Sequence, residues 1–395
     1  MPRARRSRKG SSWREDSRLL PLKRDWPDAY RVNRFVVGRS DDRSSEEALS
    51  AFTRFPVWMW RNRVVANFID WLRDYNHSRP MHTPQVGFYG LDLYSLGRSR
   101  EEVVRYLETV DPKAAGQARY RYSCFDHFGE DEQAYGYAAA INVSQSCQDE
   151  VIQQLKDLRT RAGDYSHLDG HPAEDEFFSA EQNARLVQNA EQYYRGMFES
   201  RVNTWNIRDK HMTETLEALA DHLAKRYGRA KIVVWAHNTH VGNARATDRA
   251  RYGEWNVGQL VRQSHSDAVL VGFTTYTGTV TAATFWGDQH ETKKVRPALT
   301  DSYEAVLHDA GADNFLITFA GDERLASEFR KERLERAIGV IYRPESERVS
   351  HYFKARLADQ FDAVLHFDRT RALEPLPGIE EERTSEPPDT FPAGL

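Results

Sequence analysis

The sequence predicts an α/β fold: a mainly parallel sheet flanked by helices, with a long helical insertion or cap. Three observations lead there. From Lys231 onward, short apolar runs of strand length alternate with amphipathic runs of helix length. Residues 98–228 read almost entirely as helix, too long a block to be a simple crossover. The chain has 395 residues, 40% of them hydrophobic, with 9 Trp, 18 Tyr and 19 Phe, which is enough to build a sizeable core. That aromatic content excludes collagen-like and wholly disordered chains.

The ends differ from the middle. Arg3, Arg5, Arg6, Arg8 and Lys9 make residues 1–20 a basic segment. Two readings fit it: a nucleic-acid or membrane-surface arm, and a solvated tail. The formal charge of −4 and the lack of a second basic patch favour the tail, so neither a nucleic acid nor a membrane is expected as a partner. Residues 375–395 are rich in Pro and Glu and read as a second solvated tail. The α/β domain is therefore expected over 21–374, with the helical insertion at about 98–228. No apolar run reaches the length of a membrane span. Cys124 and Cys147 are the only cysteines. Two in a chain this long do not make a disulfide scaffold, and a reducing cytosol fits them, so a cytoplasmic protein is expected.

Residues 46–75 carry Ala48, Phe52, Phe55, Met59, Val64, Phe68 and Leu72 at helical spacing, with Ser44 or Ser45 as cap and a kink at Pro56. Residues 86–90 form a short strand that ends in Gly90-Leu91-Asp92. Helices follow at 99–107, 133–163 and 179–227, the last closed by Gly228. Residues 231–236 read as a buried strand and 256–264 as a helix. Residues 268–276 form a strand, with 279–285 returning as its hairpin partner. A helix at 302–310 and strands at 314–319 and 337–342 come next. His351 opens a short helix to 357, and 363–367 is the last strand.

The sharpest chemical signal is the run Lys231-Ile-Val-Val-Trp-Ala-His237-Asn238-Thr239-His240. An apolar strand runs directly into a polar cluster, and in open α/β sheets ligands lie beyond the carboxyl ends of strands. Imidazole can move a proton near neutral pH or donate to an oxyanion. A zinc-protease pair needs H-E-x-x-H on a helix. Here the spacing is three, in a loop, with no Glu, so neither metal nor another cofactor is expected. Asp92 sits at a comparable strand end. It serves either to orient a histidine or bind a hydroxylated ligand, or to cap the next segment.

The helix around Trp205 presents Trp205, Met212, Leu216, Leu219 and Leu223 as one apolar stripe. Asp209 falls inside that stripe, about 40° from Trp205 on a helical wheel. A buried carboxylate needs a partner or a task. Arg208 lies at the edge of the same face. An Arg–Asp clamp between helix and sheet and a catalytic face both fit. His211 lies off the stripe and reads as peripheral. Glu254 opens a helix after a glycine, and His351 lies beside the last strand; each is a weaker binding candidate. No G-x-S-x-G elbow is present, so an activated water is the expected nucleophile.

At these residues the chain resembles the erythromycin esterase family. The matching stretches are Asp25-Trp-Pro-Asp-Ala-Tyr-Arg-Val-Asn33, Phe55-Pro-Val-Trp-Met-Trp-Arg-Asn62 and Gly87-Phe-Tyr-Gly-Leu-Asp92. Further on come Trp205-Asn-Ile-Arg-Asp-Lys-His-Met212, Trp235-Ala-His-Asn-Thr-His240, Gly272-Phe-Thr-Thr-Tyr-Thr-Gly278, Ser350-His-Tyr-Phe353 and Gln360-Phe-Asp-Ala-Val364. The resemblance implies a hydrolase that opens an ester or macrolide lactone by metal-independent attack of water. It implies catalytic roles for His237, His240, Arg208 and Asp209. Asp92, Asn238, Tyr89, Trp205, Glu254 and His351 would then bind the substrate. The family's opening strand and G-E-x-x-H-G motif, with its proposed general base, do not occur here, and Lys23 and Arg24 stand where a family strand would end. The resemblance thus also implies a chain shortened at its N-terminus and impaired in hydrolysis. The alternative is a non-catalytic protein that keeps the cleft for a polyhydroxylated small molecule.

Overall fold

The computed structural model describes residues 19–379 except 81–82, 130, 167–170, 199–200 and 229. The basic segment 1–18 and the stretch 380–395 lie outside the described residues. Among the described residues helix dominates, and the strands form three small sheets. β1 (Leu19–Asp25) pairs in parallel with β2 (Gly87–Asp92). The largest sheet has the order β4 (Glu291–Val295), β3 (Val271–Ala282), β8 (Ala363–Thr370), β5 (Asn314–Thr318). β6 (Arg333–Arg336) and β7 (Tyr352–Ala355) form an antiparallel pair.

The expected mainly parallel sheet is corrected by this pairing. Only β1–β2 and β3–β8 are parallel, while β3–β4, β5–β8 and β6–β7 are antiparallel. Residues 279–285 do not turn back as a hairpin. β3 runs unbroken to Ala282, and its antiparallel partner is β4. The expected strand at 337–342 is irregular, and pairing falls instead on 333–336. His351 ends the short helix Glu347–Ser350 and precedes β7 rather than opening a helix. Residues 231–236 do not form a buried strand. They lie beside β1, with Lys23 N donating to Trp235 O at 3.1 Å, but Val233 and Trp235 are 49% and 44% exposed.

The predicted helices hold better, and several carry a side-chain cap. Asn62 caps the helix Arg63–His77 by accepting from Val65 N. The region expected as one helix from 46 breaks into Ser45–Ala48 and tight turns through Met59. The described residues of 98–228 are mostly helical, in several separate helices. The longest of these, His171–Gly196 and Arg201–Tyr227, share a core with Trp26, Tyr30 and Tyr89. Within that core Cys124 and Cys147 form a disulfide, which corrects the reading of two reduced thiols. Disulfides persist in oxidising compartments, so the cysteine argument for a cytoplasmic chain falls away. Among the described residues, no helix is long and apolar enough to cross a membrane. Leu376 is buried against Leu49 and Phe52, so the described part of 375–379 packs on the domain.

Candidate functional site

Three segments converge. The first is the end of β1 and β2, where Asp25 and Asp92 are register partners. Gly90 makes this possible, since a Cβ there would lie 2.4 Å from Asp25 O. The second is the middle of helix Arg201–Tyr227. The third is the loop His237–Gly242, whose residues 238–241 form one helical turn. The helix Val257–Ser264 holds that turn: a Cβ on Gly258 would meet Val241 O at 2.2 Å. Asn256 caps the same helix through Gln259 N and donates to Thr239 O at 2.7 Å.

Arg208 and Asp92 form a buried two-point pair, Nε to Oδ1 at 2.8 Å and Nη2 to Oδ2 at 2.7 Å. Burial alone would raise the Asp92 pKa, but the Arg208 guanidinium overrides it and holds the carboxyl well below the usual range. The Arg208 guanidinium also lies 4.4 Å above the Tyr94 ring. Of the two sequence readings, this is the clamp, and the facing oxygens of Asp92 are spent on it.

Asp209, one residue on, pairs with His240. His240 Nδ1 lies 2.9 and 3.0 Å from its two oxygens, and Val257 N donates to Oδ1 at 3.0 Å. Both side chains are fully buried. Burial pushes the Asp209 carboxyl up, against Arg208 and the Val257 amide. Burial pushes the His240 imidazole down, and the nearby Lys23 and Arg208 charges push it further. The imidazole is therefore neutral at neutral pH. In the ionised state of Asp209, which Arg208 and the Val257 amide favour against burial, the His240 proton sits on Nδ1 facing the carboxylate, and Nε2 has no partner among the described residues. The Trp205 indole stacks on the ring at 4.5 Å and 11°, and is itself fixed by Nε1 donating to Trp255 O.

His237 differs. Its Nε2 donates to Ile338 O at 3.1 Å, and Thr239 N approaches Nδ1 at 3.3 Å. Burial lowers its pKa to about 4. Both ring nitrogens are engaged, so His237 shapes the loop. Asn238 is spent as well: it exchanges two hydrogen bonds with the backbone of Phe273 and donates to Glu335. Glu335 is buried, and burial together with Glu304 raises its carboxyl to about 8.

The remaining expected residues divide. Trp205 and Glu254 line one small cleft of about 20 Å³ together with Thr239, Arg249 and Trp255. Tyr89 does not join them. It lies among Trp26 and Tyr30 in the helical core, with its phenol pushed up by burial. His351 is fully buried and accepts from Arg343 N, away from the cleft. His211 is buried rather than peripheral, because its helix packs on two sides. Its Nδ1 meets Asn189 at 2.9 Å, and burial lowers its pKa to about 3.

Sequence reasoning missed Lys23, Asp25 and Glu335. The Lys23 ammonium acts electrostatically on Asp92, Asp209, His237 and His240, so a cation lies within reach of all four. Asp25 accepts from Tyr94 N, and burial raises its pKa beside Asp92. Alternation along β1 places Lys23 and Asp25 on one face, and that signal was available. Glu335 carried none. Among the described residues no group of three or more His, Cys, Asp or Glu could hold a metal ion.

An α/β framework that holds a buried carboxylate–imidazole pair behind Trp205, whose ring stacks on the imidazole and lines a small cleft, is the kind of site used by hydrolytic enzymes. The erythromycin esterase family model matches residues 15–370, and the chain belongs to that family. Three solved structures share the fold. A succinoglycan biosynthesis protein superposes with a TM-score of 0.72 at 18% identity, over 91% of this chain and 82% of that one. A Bacillus cereus protein gives 0.69 at 18%, over 91% and 82%. A histidine-to-asparagine mutant of erythromycin esterase EreC, in its open conformation, gives 0.56 at 14%, over 93% and 86%.

Proposed function

We propose that the chain hydrolyses an ester or lactone of a small molecule by attack of water, with His240 as the proton-transfer group. The Asp209–His240 pair carries this reading. The carboxylate fixes Nδ1 as the protonated nitrogen, and the Trp205 stack fixes the ring plane. Nε2 then takes a proton from water as it attacks the carbonyl and returns it to the leaving alkoxide, a contribution of about 10²–10⁴ in rate. Lys23 supplies positive charge for the developing oxyanion. Arg208 acts by holding Asp92 beside it rather than by touching substrate. Macrolide lactones are the first substrates to test, on the strength of the family. No step in this scheme requires a metal ion.

A second reading is a binding protein that holds a polyhydroxylated ligand without turning it over. The partly exposed Trp255 ring, which lines the cleft beside Trp205 and Glu254, favours it. An ester-hydrolysis screen, macrolides included, separates the two when run on the chain and on His240→Ala. Turnover that disappears in the variant supports the hydrolase. Turnover unchanged in the variant rejects the role of His240. Ligand binding with no turnover in either favours the second reading.

A further inference from the structure

Beside the cleft at Trp205 lies a separate cavity of about 230 Å³ between the helices His171–Gly196 and Arg201–Tyr227. Trp255 lines both spaces. From its geometry we infer that this second cavity is a subsite for one hydroxyl-rich ring, of the pyranose class, attached to the molecule whose ester or lactone reaches His240. The inference rests on the proposed hydrolase reading for the reacting end, but not for the ring itself.

The first observation is the platform. Trp255 is 37% exposed, yet both of its backbone groups are tied: its N–H donates to Asn206 Oδ1 at 3.1 Å, and its carbonyl accepts from Trp205 Nε1 at 2.8 Å. Asn206 also donates to Gly253 O at 2.9 Å. A large apolar ring on a backbone fixed at both groups, and partly open to solvent, offers a face to the C–H side of a sugar.

The second is the chemistry of the walls. Lys210 supplies donors and Glu214 acceptors, joined at 3.7 Å. Gln192 supplies both and has no hydrogen-bond partner among the described residues. Asn189 donates to Glu214 Oε2 at 3.2 Å and to His211 Nδ1 at 2.9 Å, which leaves its own carbonyl oxygen as an unengaged acceptor among the described residues. Donors and acceptors side by side suit adjacent hydroxyls, each of which both gives and takes a hydrogen bond. An apolar acyl chain would cover these groups without meeting their hydrogen bonds.

The third is size. Pockets for drug-sized ligands run from about 300 Å³ upward. At 230 Å³ the cavity admits one ring rather than a chain of them. Trp205 connects it to the chemistry, since its ring stacks on His240 while its Nε1 holds the Trp255 carbonyl.

The test is saturation-transfer NMR with methyl β-glucopyranoside, methyl α-mannopyranoside and, as an apolar ring of similar size, cyclohexanol. The full chain, His240→Ala, Trp255→Ala and Glu214→Gln are compared, with circular dichroism to establish that each variant is folded. The expected result is transfer to at least one glycoside in the full chain and in His240→Ala. Trp255→Ala should reduce it at least fivefold and Glu214→Gln at least twofold. Cyclohexanol should show less transfer than the glycosides throughout. Equal transfer in folded Trp255→Ala, or cyclohexanol matching the glycosides, overturns the subsite. Glycoside binding in a chain that hydrolyses no ester keeps the subsite and rejects the hydrolase reading, so the two fail separately.

Discussion

Arg208 and Asp209 are neighbours on one helix, and each meets a buried partner, yet the two pairs do opposite things. The Arg208–Asp92 pair closes on itself: two parallel bonds at 2.7 and 2.8 Å use the facing atoms of both groups. The Asp209–His240 pair stays open, because an imidazole has two nitrogens and the carboxylate engages only one. The guanidinium cannot lose its proton under ordinary conditions, whereas the imidazole can take one up and return it. The first pair is thus a strut between helix and sheet, and the second a device for moving protons. Burial gives a group a chemical task only when its partner leaves an atom unspent.

The largest effect expected is on turnover. His240→Ala should lower ester hydrolysis by about 10²–10⁴ while leaving the Arg208 strut in place. His237→Ala, read in the same assay, should cost far less than His240→Ala, because both of its nitrogens are already engaged. Equal losses in the two variants would break the distinction between the ends of the loop.

Stability should respond most to the strut. Arg208→Ala leaves the Asp92 carboxylate buried without its counter-charge, a cost on the order of 3–5 kcal/mol in denaturant unfolding. Arg208→Lys should recover only part of this, since an ammonium cannot reproduce the two-point geometry. Full recovery with Lys would mean that the pair works as a simple point contact.

Behind the loop, Glu335 faces Asn238, Gln360 and the carboxyl of Glu304. A carboxyl with a folded pKa of about 8, against an ordinary value of 4.5, keeps its proton longer in the folded state. Folded stability therefore falls as pH rises through that interval and levels off above it. Glu335→Gln should flatten this decline in thermal unfolding measured from pH 5 to pH 9. A decline of the same steepness in the variant would assign it to another group. The smallest effect belongs to Trp205→Leu. It removes the stack on His240, worth about 0.5–1.5 kcal/mol beyond area. It should weaken turnover modestly without altering the strut.

Much of the site was legible, and the reason is local. Asp209 betrayed itself by sitting on an apolar stripe, and the histidines by following an apolar run. Asp92 was visible at its strand end, although its pairing with Arg208 left two readings open that only geometry separates. Tyr89 misled because β2 is buried on both faces, so alternation did not tell which side meets the cleft. Residues 231–236 misled because hydrophobic content suggests a covered strand, while Val233 and Trp235 are exposed. Antiparallel pairing could not be told from parallel, since strand periodicity is the same in both. The disulfide escaped notice because two cysteines 23 residues apart say nothing of distance until the helices between them are packed.

The most direct test of the contrast between the two pairs is the protonation state of His240, read by ¹⁵N NMR of the imidazoles at pH 7. The account predicts a neutral ring with its proton on Nδ1 and Nε2 bare, while His237 carries its proton on Nε2. A proton resident on His240 Nε2 at pH 7, or a ring doubly protonated there, would contradict it.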